Sequence, residues 1–171
     1  MKRVTLFMFM LLAVATTDSM AQEKKPISPK ETVTGSIDGV NVEIVYCRPS
    51  ARGRKMLGEK EPYGQVWRTG ANDATTIKFD KAVTIEGKTL EAGTYALFTI
   101  PNENEWVIIF NKKTKQWGAY DYEKNKDQDA LQVTVKSGKT DAFVETFTIS
   151  AEKDQISLQW ENTAVAFKVK G

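Results

Sequence analysis

Hydrophobic and polar residues alternate in short runs along most of the chain beyond residue 31. Residues 40–46 (VNVEIVY) show the two-residue period of a strand that buries one face. Asp38-Gly39 comes directly before this run, and such a pair is typical of a tight hairpin turn. We therefore predict that residues 32–37 and 40–46 pair as a β-hairpin.

Similar runs follow at a spacing typical of sandwich and barrel folds. Residues 94–100 and 106–110 are apolar on both faces, which indicates central strands or strands covered by a loop. The other alternating runs are 77–79, 83–85, 131–135, 143–149, 156–160 and 165–169. These nine or ten strands predict an all-β fold over residues 31–171. We expect a single antiparallel β-sandwich, jelly-roll-like or immunoglobulin-like, with one long irregular loop.

That loop, residues 48–72, interrupts the alternation with four arginines, two large aromatic residues and several glycines and prolines. A long loop on a rigid β scaffold often carries the binding surface. The candidate binding residues are Arg48, Arg52, Arg54, Tyr63, Trp67, Arg68 and Asn72. Trp117 and Tyr120 could extend the same surface.

Two roles are open for this loop. Arginine beside aromatic faces can hold a small anion, and aromatic faces beside Asn72 and arginine can bind a saccharide. Alternatively, the arginines satisfy buried carbonyls and Trp67 plugs the core, so that the loop is a packing element of a structural or protein-interaction domain.

Glu145 breaks the pattern of its own strand. It shares one face with the apolar residues Phe143, Phe147 and Ile149, and a buried carboxylate is costly unless it is paired. We expect an ion pair between Glu145 and one of the loop arginines. The alternative is that this strand is bulged or that its face is exposed.

The first twenty-one residues have the pattern of a signal peptide. Lys2 and Arg3 precede an apolar core at residues 4–15, and small residues then stand before the expected cleavage after Ala21. Residues 22–30 read as a linker. We therefore expect an exported protein, periplasmic or secreted, that does not span the membrane once the signal peptide is removed.

The composition narrows the chemistry. The chain has no histidine, which excludes histidine-based nucleophilic catalysis and the usual zinc sites, and its single cysteine cannot form an internal disulfide. A net charge of +2 gives no reason to expect nucleic-acid binding. We predict no catalytic residue, metal or cofactor, and the protein partner stays open. A hydrolase would need paired carboxylates, for which Glu59, Glu61, Asp73 and Glu145 are the candidates.

Several runs together resemble a known family. They are RPSARGRKMLG, PYGQVWRTGANDATTIKF, IEGKTLEAGTYALFTIP and EWVIIFNK, and the similarity extends from about residue 40 to residue 169. The chain resembles the bacterial family catalogued as domain of unknown function 2911. The resemblance implies an exported envelope protein and no established activity. The leading hypothesis is a non-catalytic binding module for a small anionic or saccharide ligand.

Overall fold

Nine β-strands make up most of the part of the chain that the structure, a computed structural model, describes, which is residues 27–171. The strands are β1 (Lys30–Ile37), β2 (Val40–Cys47), β3 (Thr75–Phe79), β4 (Val83–Ile85), β5 (Lys88–Leu90), β6 (Gly93–Ile100), β7 (Glu105–Asn111), β8 (Asp129–Glu152) and β9 (Gln155–Lys170). A short helix, α1 (Tyr122–Asn125), and one turn of 3₁₀ helix (Lys126–Gln128) precede β8.

The strands form one antiparallel array in the order β1-β2-β3-β6-β7-β8-β9-β4-β5. The long strand β8 pairs with β7 up to Lys136 and with β9 from Ser137 onward, so it belongs to two layers. The array closes on itself, because β1 reaches β8 at Gly35. A Cβ atom added to this glycine would lie 3.1 Å from the carbonyl oxygen of Ala151 on β8. The expected all-β sandwich is therefore confirmed, and only the β4–β5 hairpin stands out of chain order.

The predicted first hairpin is also confirmed. β1 and β2 pair in register from Lys30 with Cys47 to Ile37 with Val40. Asp38 and Gly39 form the turn with positive φ angles of 50° and 76°, the left-handed conformation that a two-residue turn between strands requires.

Strands β6 and β7 bury both faces, as their sequences predict. Tyr95, Leu97 and Phe110 point into the main core between the layers, whereas Phe98 and Ile109 belong to a smaller cluster on the opposite face. Residues 112–128 cover that second face. Both predicted explanations, central strands and a covering loop, apply here.

A polar network attaches this covering segment to the sheet. The carboxylate of Asp129 accepts hydrogen bonds from the Tyr122 hydroxyl (2.6 Å), from Nδ2 of Asn111 (2.7 Å) and from Nε2 of Gln132 (2.7 Å). Burial, followed by the hydrogen bond to Asp129, raises the pKa of the Tyr122 phenol above its ordinary value. The phenol therefore remains a donor at neutral pH and fixes α1 against the sheet.

The later alternating runs are not separate strands. The runs 131–135 and 143–149 both belong to β8, and 156–160 and 165–169 both belong to β9. The β8–β9 pairing shifts register between Lys139 and Val144 and again between Val144 and Thr148. These bulges change which side chains face the core without ending the strands.

The predicted signal peptide and most of the predicted linker lie outside the described residues. The linker's last residue, Lys30, is the first residue of β1. Within residues 27–171, no helix has the length and apolar character needed to cross a membrane.

Candidate functional site

The loop of residues 48–72 joins the two layers of the sandwich. Its first part runs beside β8, where the Ala51 amide donates to the Glu145 carbonyl and Pro49 accepts from the Phe147 amide, both at 2.9 Å. Its second part pairs with β6, because Trp67 and Thr99 exchange main-chain hydrogen bonds of 2.7 and 3.0 Å. The predicted long irregular loop is therefore present, and it is fixed at both ends.

Trp67 is a core residue and not a ligand platform. Its side chain is 2% exposed, and its Nε1 donates to the Gly70 carbonyl at 3.1 Å. The indole stacks on Trp160 at a centroid distance of 5.5 Å and meets Trp106 and Phe147 edge-on. The packing interpretation of this residue holds, because a ligand could reach little more than its edge.

Arg48 is also committed to the fold. Its guanidinium donates to the Phe147 carbonyl (3.1 Å), the Thr148 hydroxyl (2.8 Å) and the Glu31 carboxylate (2.6 Å). These partners lie on β8 and β1, so Arg48 links the two strands where the sandwich closes. Arginine suits this position because its planar fork can serve several acceptors at once.

Arg54 and Arg52 bond mainly to nearby main chain. Arg54 donates to the carbonyls of Ala51 (2.9 Å) and Ser50 (3.0 Å), which closes a turn within the loop. The exposed side chain of Arg52 donates to the Ile27 carbonyl at 3.0 Å. Neither arginine lines a cleft together with Arg68.

Glu145 does not form the expected ion pair with a loop arginine. Its carboxylate is exposed and accepts a hydrogen bond of 2.6 Å from the main-chain amide of Arg52. Phe143, predicted to share its buried face, is 54% exposed because β8 is bulged here. The alternative of a bulged, exposed strand is the one that the structure shows.

The carboxylate that does hold the loop is Glu161 on β9, which the sequence did not single out. Its side chain is 9% exposed and accepts main-chain hydrogen bonds from Met56 and Leu57, both at 2.9 Å. Glu161 has a φ angle of +54°, which marks an irregularity in β9. One sequence signal could have indicated it: the apolar alternation at residues 156, 158 and 160 resumes at 165, 167 and 169, an odd spacing that would put the two runs on opposite faces of a regular strand.

Arg68 differs from the other loop arginines. Within residues 27–171, its guanidinium forms no hydrogen bond or ion pair, whereas Arg48, Arg52 and Arg54 all do. It lines an open cleft of about 290 Å³, which we call the Arg68 cleft. The other lining residues are Lys60, Glu61, Pro62, Gln65, Val66, Trp67, Ala119 and Tyr120.

The Arg68 cleft combines an aromatic ring with opposite charges. Tyr120 is 77% exposed, so most of its side chain is open to contact. Burial raises the pKa of the Glu61 carboxyl above its ordinary value, and the nearby charge of Arg68 partly offsets this rise. The guanidinium, the carboxyl and the aromatic face thus surround one small volume.

Gly118 sets the relative position of Arg68 and Tyr120. A Cβ atom on this glycine would lie 2.9 Å from Nη1 of Arg68 and 2.8 Å from Cε2 of Tyr120. Both side chains therefore rest directly on its backbone, which has a φ angle of +65° that favours glycine.

The other two predicted residues lie beside the cleft and do not line it. Tyr63 packs over Gly58, where a Cβ atom would meet its ring at 2.9 Å. The Asn72 carbonyl accepts a hydrogen bond of 3.0 Å from the Gly118 amide. Together with a bridge between Asp73 and Trp117, this bond joins segments 72–74 and 116–118 into a ridge.

A second cleft, of about 450 Å³, lies beside the same ridge. We call it the Trp117 cleft, because the Trp117 side chain at its border is 61% exposed. Its other lining residues are Lys30, Val45, Tyr46, Cys47, Asp73, Ala74, Thr76, Thr114, Lys115 and Gln116. Within residues 27–171, no group of three or more cysteine, aspartate and glutamate side chains could hold a metal ion.

A comparison with known families gives the protein's class. The model of the family described as "Protein of unknown function (DUF2911)" matches residues 28–169, so the chain belongs to this family. The family resemblance of the sequence is thereby confirmed. No curated protein and no solved structure matches the chain.

Proposed function

We propose that the protein is a non-catalytic binding protein that takes a small anionic or saccharide ligand in the Arg68 cleft. The observation that carries this proposal is the guanidinium of Arg68, which forms no hydrogen bond or ion pair within residues 27–171 and lines an open cleft. A guanidinium without internal partners can donate two parallel hydrogen bonds to a carboxylate, phosphate or sulfate.

The groups around Arg68 suit a ligand that also carries a ring. The exposed face of Tyr120 offers a stacking surface for the apolar face of a sugar. Glu61 can accept hydrogen bonds from hydroxyl groups, and the Gln65 amide can both donate and accept. A saccharide with an acidic group would use all of these side chains together.

Three other residues of the loop have a packing role. Arg48 and Arg54 donate to protein oxygens, and Trp67 is part of the core. Hydrolysis gains no support from either cleft. A glycosidase needs two carboxyl groups that face each other. Among the described residues, the Arg68 cleft has one carboxylate, Glu61, and the Trp117 cleft has one, Asp73.

We also infer that the protein acts outside the cytoplasm. The charged, apolar and small-residue regions of residues 1–21 support this inference. N-terminal sequencing of the protein from fractionated cells tests it. A mature chain that starts at Gln22 in the periplasmic or secreted fraction is expected, and an intact Met1 in the cytoplasmic fraction would contradict it.

The binding proposal is tested by thermal unfolding with a panel of small ligands: galacturonate, galactose, phosphate and sulfate. A ligand at 100 times its Kd adds about 2.7 kcal/mol, which raises Tm by roughly 5–11 °C for a domain of this size. Arg68→Gln should abolish the shift and change the basal Tm little, because the Arg68 side chain forms no hydrogen bond or ion pair within residues 27–171.

Arg52→Gln is the matched control, since Arg52 is an exposed arginine of the same loop outside the cleft. It should retain the full ligand shift. The proposal is wrong if no ligand of the panel shifts Tm, or if both variants lose the shift equally.

A further inference from the structure

We propose that the natural ligand is an acidic polysaccharide chain that lies across the Arg68 cleft and the Trp117 cleft together. The inference rests on the proposed function, because it names the ligand class of the Arg68 cleft. It adds the Trp117 cleft as a second subsite for the same chain.

The two clefts are neighbours in the fold. They lie beside the ridge that the Asp73–Trp117 bridge and the hydrogen bond from the Gly118 amide to the Asn72 carbonyl hold together. Trp117 lines one cleft and Tyr120 the other. Only Gly118 and Ala119 lie between them in the chain, so their Cα atoms are at most about 11 Å apart. A short stretch of a polymer could contact both rings.

Each cleft repeats the same three kinds of group, namely an exposed aromatic ring, a cation and a carboxylate. The Arg68 cleft has Tyr120, Arg68 and Glu61, and the Trp117 cleft has Trp117, the pair Lys30 and Lys115, and Asp73. In the described part of the chain, the ammonium groups of Lys30 and Lys115 form no ion pair or hydrogen bond. Four other lysines do form such contacts: Lys81, Lys88, Lys124 and Lys126. Both clefts therefore keep a cation available.

A chain of acidic sugars matches this repetition. The apolar face of each ring can stack on an aromatic side chain, its acidic group can pair with the cation, and its hydroxyls can donate to the carboxylate. Single-stranded DNA could use the rings and cations as well, but its sugar-phosphate backbone has few free hydroxyl groups to donate to Glu61 and Asp73.

The test measures affinity against chain length by titration calorimetry on the purified protein. The probes are galacturonic acid and galacturonate and alginate oligomers of increasing length, with neutral cello-oligosaccharides and oligothymidylate for comparison. Joining two subsites should raise the affinity of the longest acidic oligomer about 100-fold or more over the monomer. Trp117→Ala should reduce that ratio several-fold, because it removes the stacking surface of the second subsite. Phe143→Ala, which removes an exposed aromatic residue outside both clefts, should leave the ratio unchanged.

Tryptophan fluorescence supplies a second readout of the Trp117 cleft. The chain has four tryptophans, and Trp67, Trp106 and Trp160 are at most 2% exposed. Iodide should therefore quench mainly Trp117. A long acidic oligomer should protect this signal from iodide, whereas the monomer at the concentration that fills the Arg68 cleft should not.

The outcomes separate this inference from the proposed function. Equal affinities for monomer and longest oligomer, or a full gain with length in Trp117→Ala, would overturn the two-cleft ligand. The Arg68 cleft would still stand if Arg68→Gln weakened binding of the monomer. Neutral oligomers that bind as well as acidic ones would overturn the acidic class, and tighter binding of oligothymidylate would point to nucleic acid. If no probe binds, both proposals fail.

Discussion

Replacing Glu161 with glutamine would test how the loop is held to the sandwich. The substitution preserves the size of the side chain and removes only its charge and one acceptor oxygen. At present, both carboxylate oxygens accept main-chain hydrogen bonds of 2.9 Å, one from Met56 and one from Leu57. The new amide can accept from one of these N–H groups, but its NH₂ group must face the other.

The expected loss follows from the burial of this contact. Hydrogen bonds to a charged group contribute about 1.5–3 kcal/mol each, and a buried donor without a partner costs about 1–3 kcal/mol. Glu161→Gln should therefore destabilise the protein by about 2–4 kcal/mol, which lowers Tm by roughly 4–16 °C at this size.

Glu145→Gln is the matched control. Its carboxylate also accepts a main-chain bond, from Arg52, but it is exposed, so water can replace the bond and the loss should stay below about 1 kcal/mol.

Two measurements check this difference. Thermal and urea unfolding give the loss of stability, and amide hydrogen exchange reports Met56 and Leu57 directly. Exchange of these two amides should accelerate in Glu161→Gln and stay slow in Glu145→Gln. If the two variants were equally stable, or if the Met56 and Leu57 amides remained protected in Glu161→Gln, the anchoring role of Glu161 would be refuted.

Three further predictions concern the Arg68 cleft and its support. Gly118→Ala should lower the stability of the fold by about 1–2 kcal/mol, because residue 118 has a left-handed backbone conformation, and it should weaken ligand binding, because the new Cβ displaces Arg68. Gly87→Ala is the control: Gly87 also has a positive φ but has open space for a Cβ, so this variant should lose stability and keep its ligand affinity. Equal ligand affinities of the two variants in calorimetry would contradict the role of Gly118. Because the pKa of Glu61 is raised in the folded state, its carboxyl lowers stability as the pH rises through that pKa. Glu61→Gln should therefore have a higher Tm than wild type near pH 7 and the same Tm below about pH 4, where the carboxyl is protonated in the folded and the unfolded state. A Tm difference that is independent of pH would show that the raised pKa of Glu61 is not its cause. Asp129→Asn should cost about 1–3 kcal/mol and speed amide exchange in residues 112–128, because it disturbs three hydrogen bonds; unchanged exchange would show that apolar packing alone holds this segment.

The sequence predicted those parts of the fold that depend on local pattern. The turn at Asp38-Gly39 and the alternation in residues 40–46 determined the first hairpin, because turn type and face are local properties. The double-sided apolar character of residues 94–100 likewise predicted a strand with two covered faces. The position of the long loop followed from the absence of alternation.

The partners of the loop side chains could not be predicted in the same way. Arg48 bonds to Phe147 and Thr148, which are about 100 positions away in the chain, and only the closed sandwich brings them together. The wrong expectation for Glu145 arose because a bulge reverses the faces of a strand without leaving a clear mark in the alternation. Arginine composition located the loop, but it did not distinguish the one guanidinium that faces a cleft from those that bond to carbonyls.

The bond between Glu161 and the loop also affects the order in which the chain can fold. Met56 and Leu57 precede their acceptor by 105 and 104 positions, so their amides lack this partner until residue 161 has been synthesised. Contacts over such separations form late and slow the folding of β proteins. Until β9 emerges, the apolar side chains of the loop remain open to other proteins. A nascent or C-terminally truncated chain that ends before residue 161 should therefore depend on chaperones, because the loop then lacks the strand that covers it.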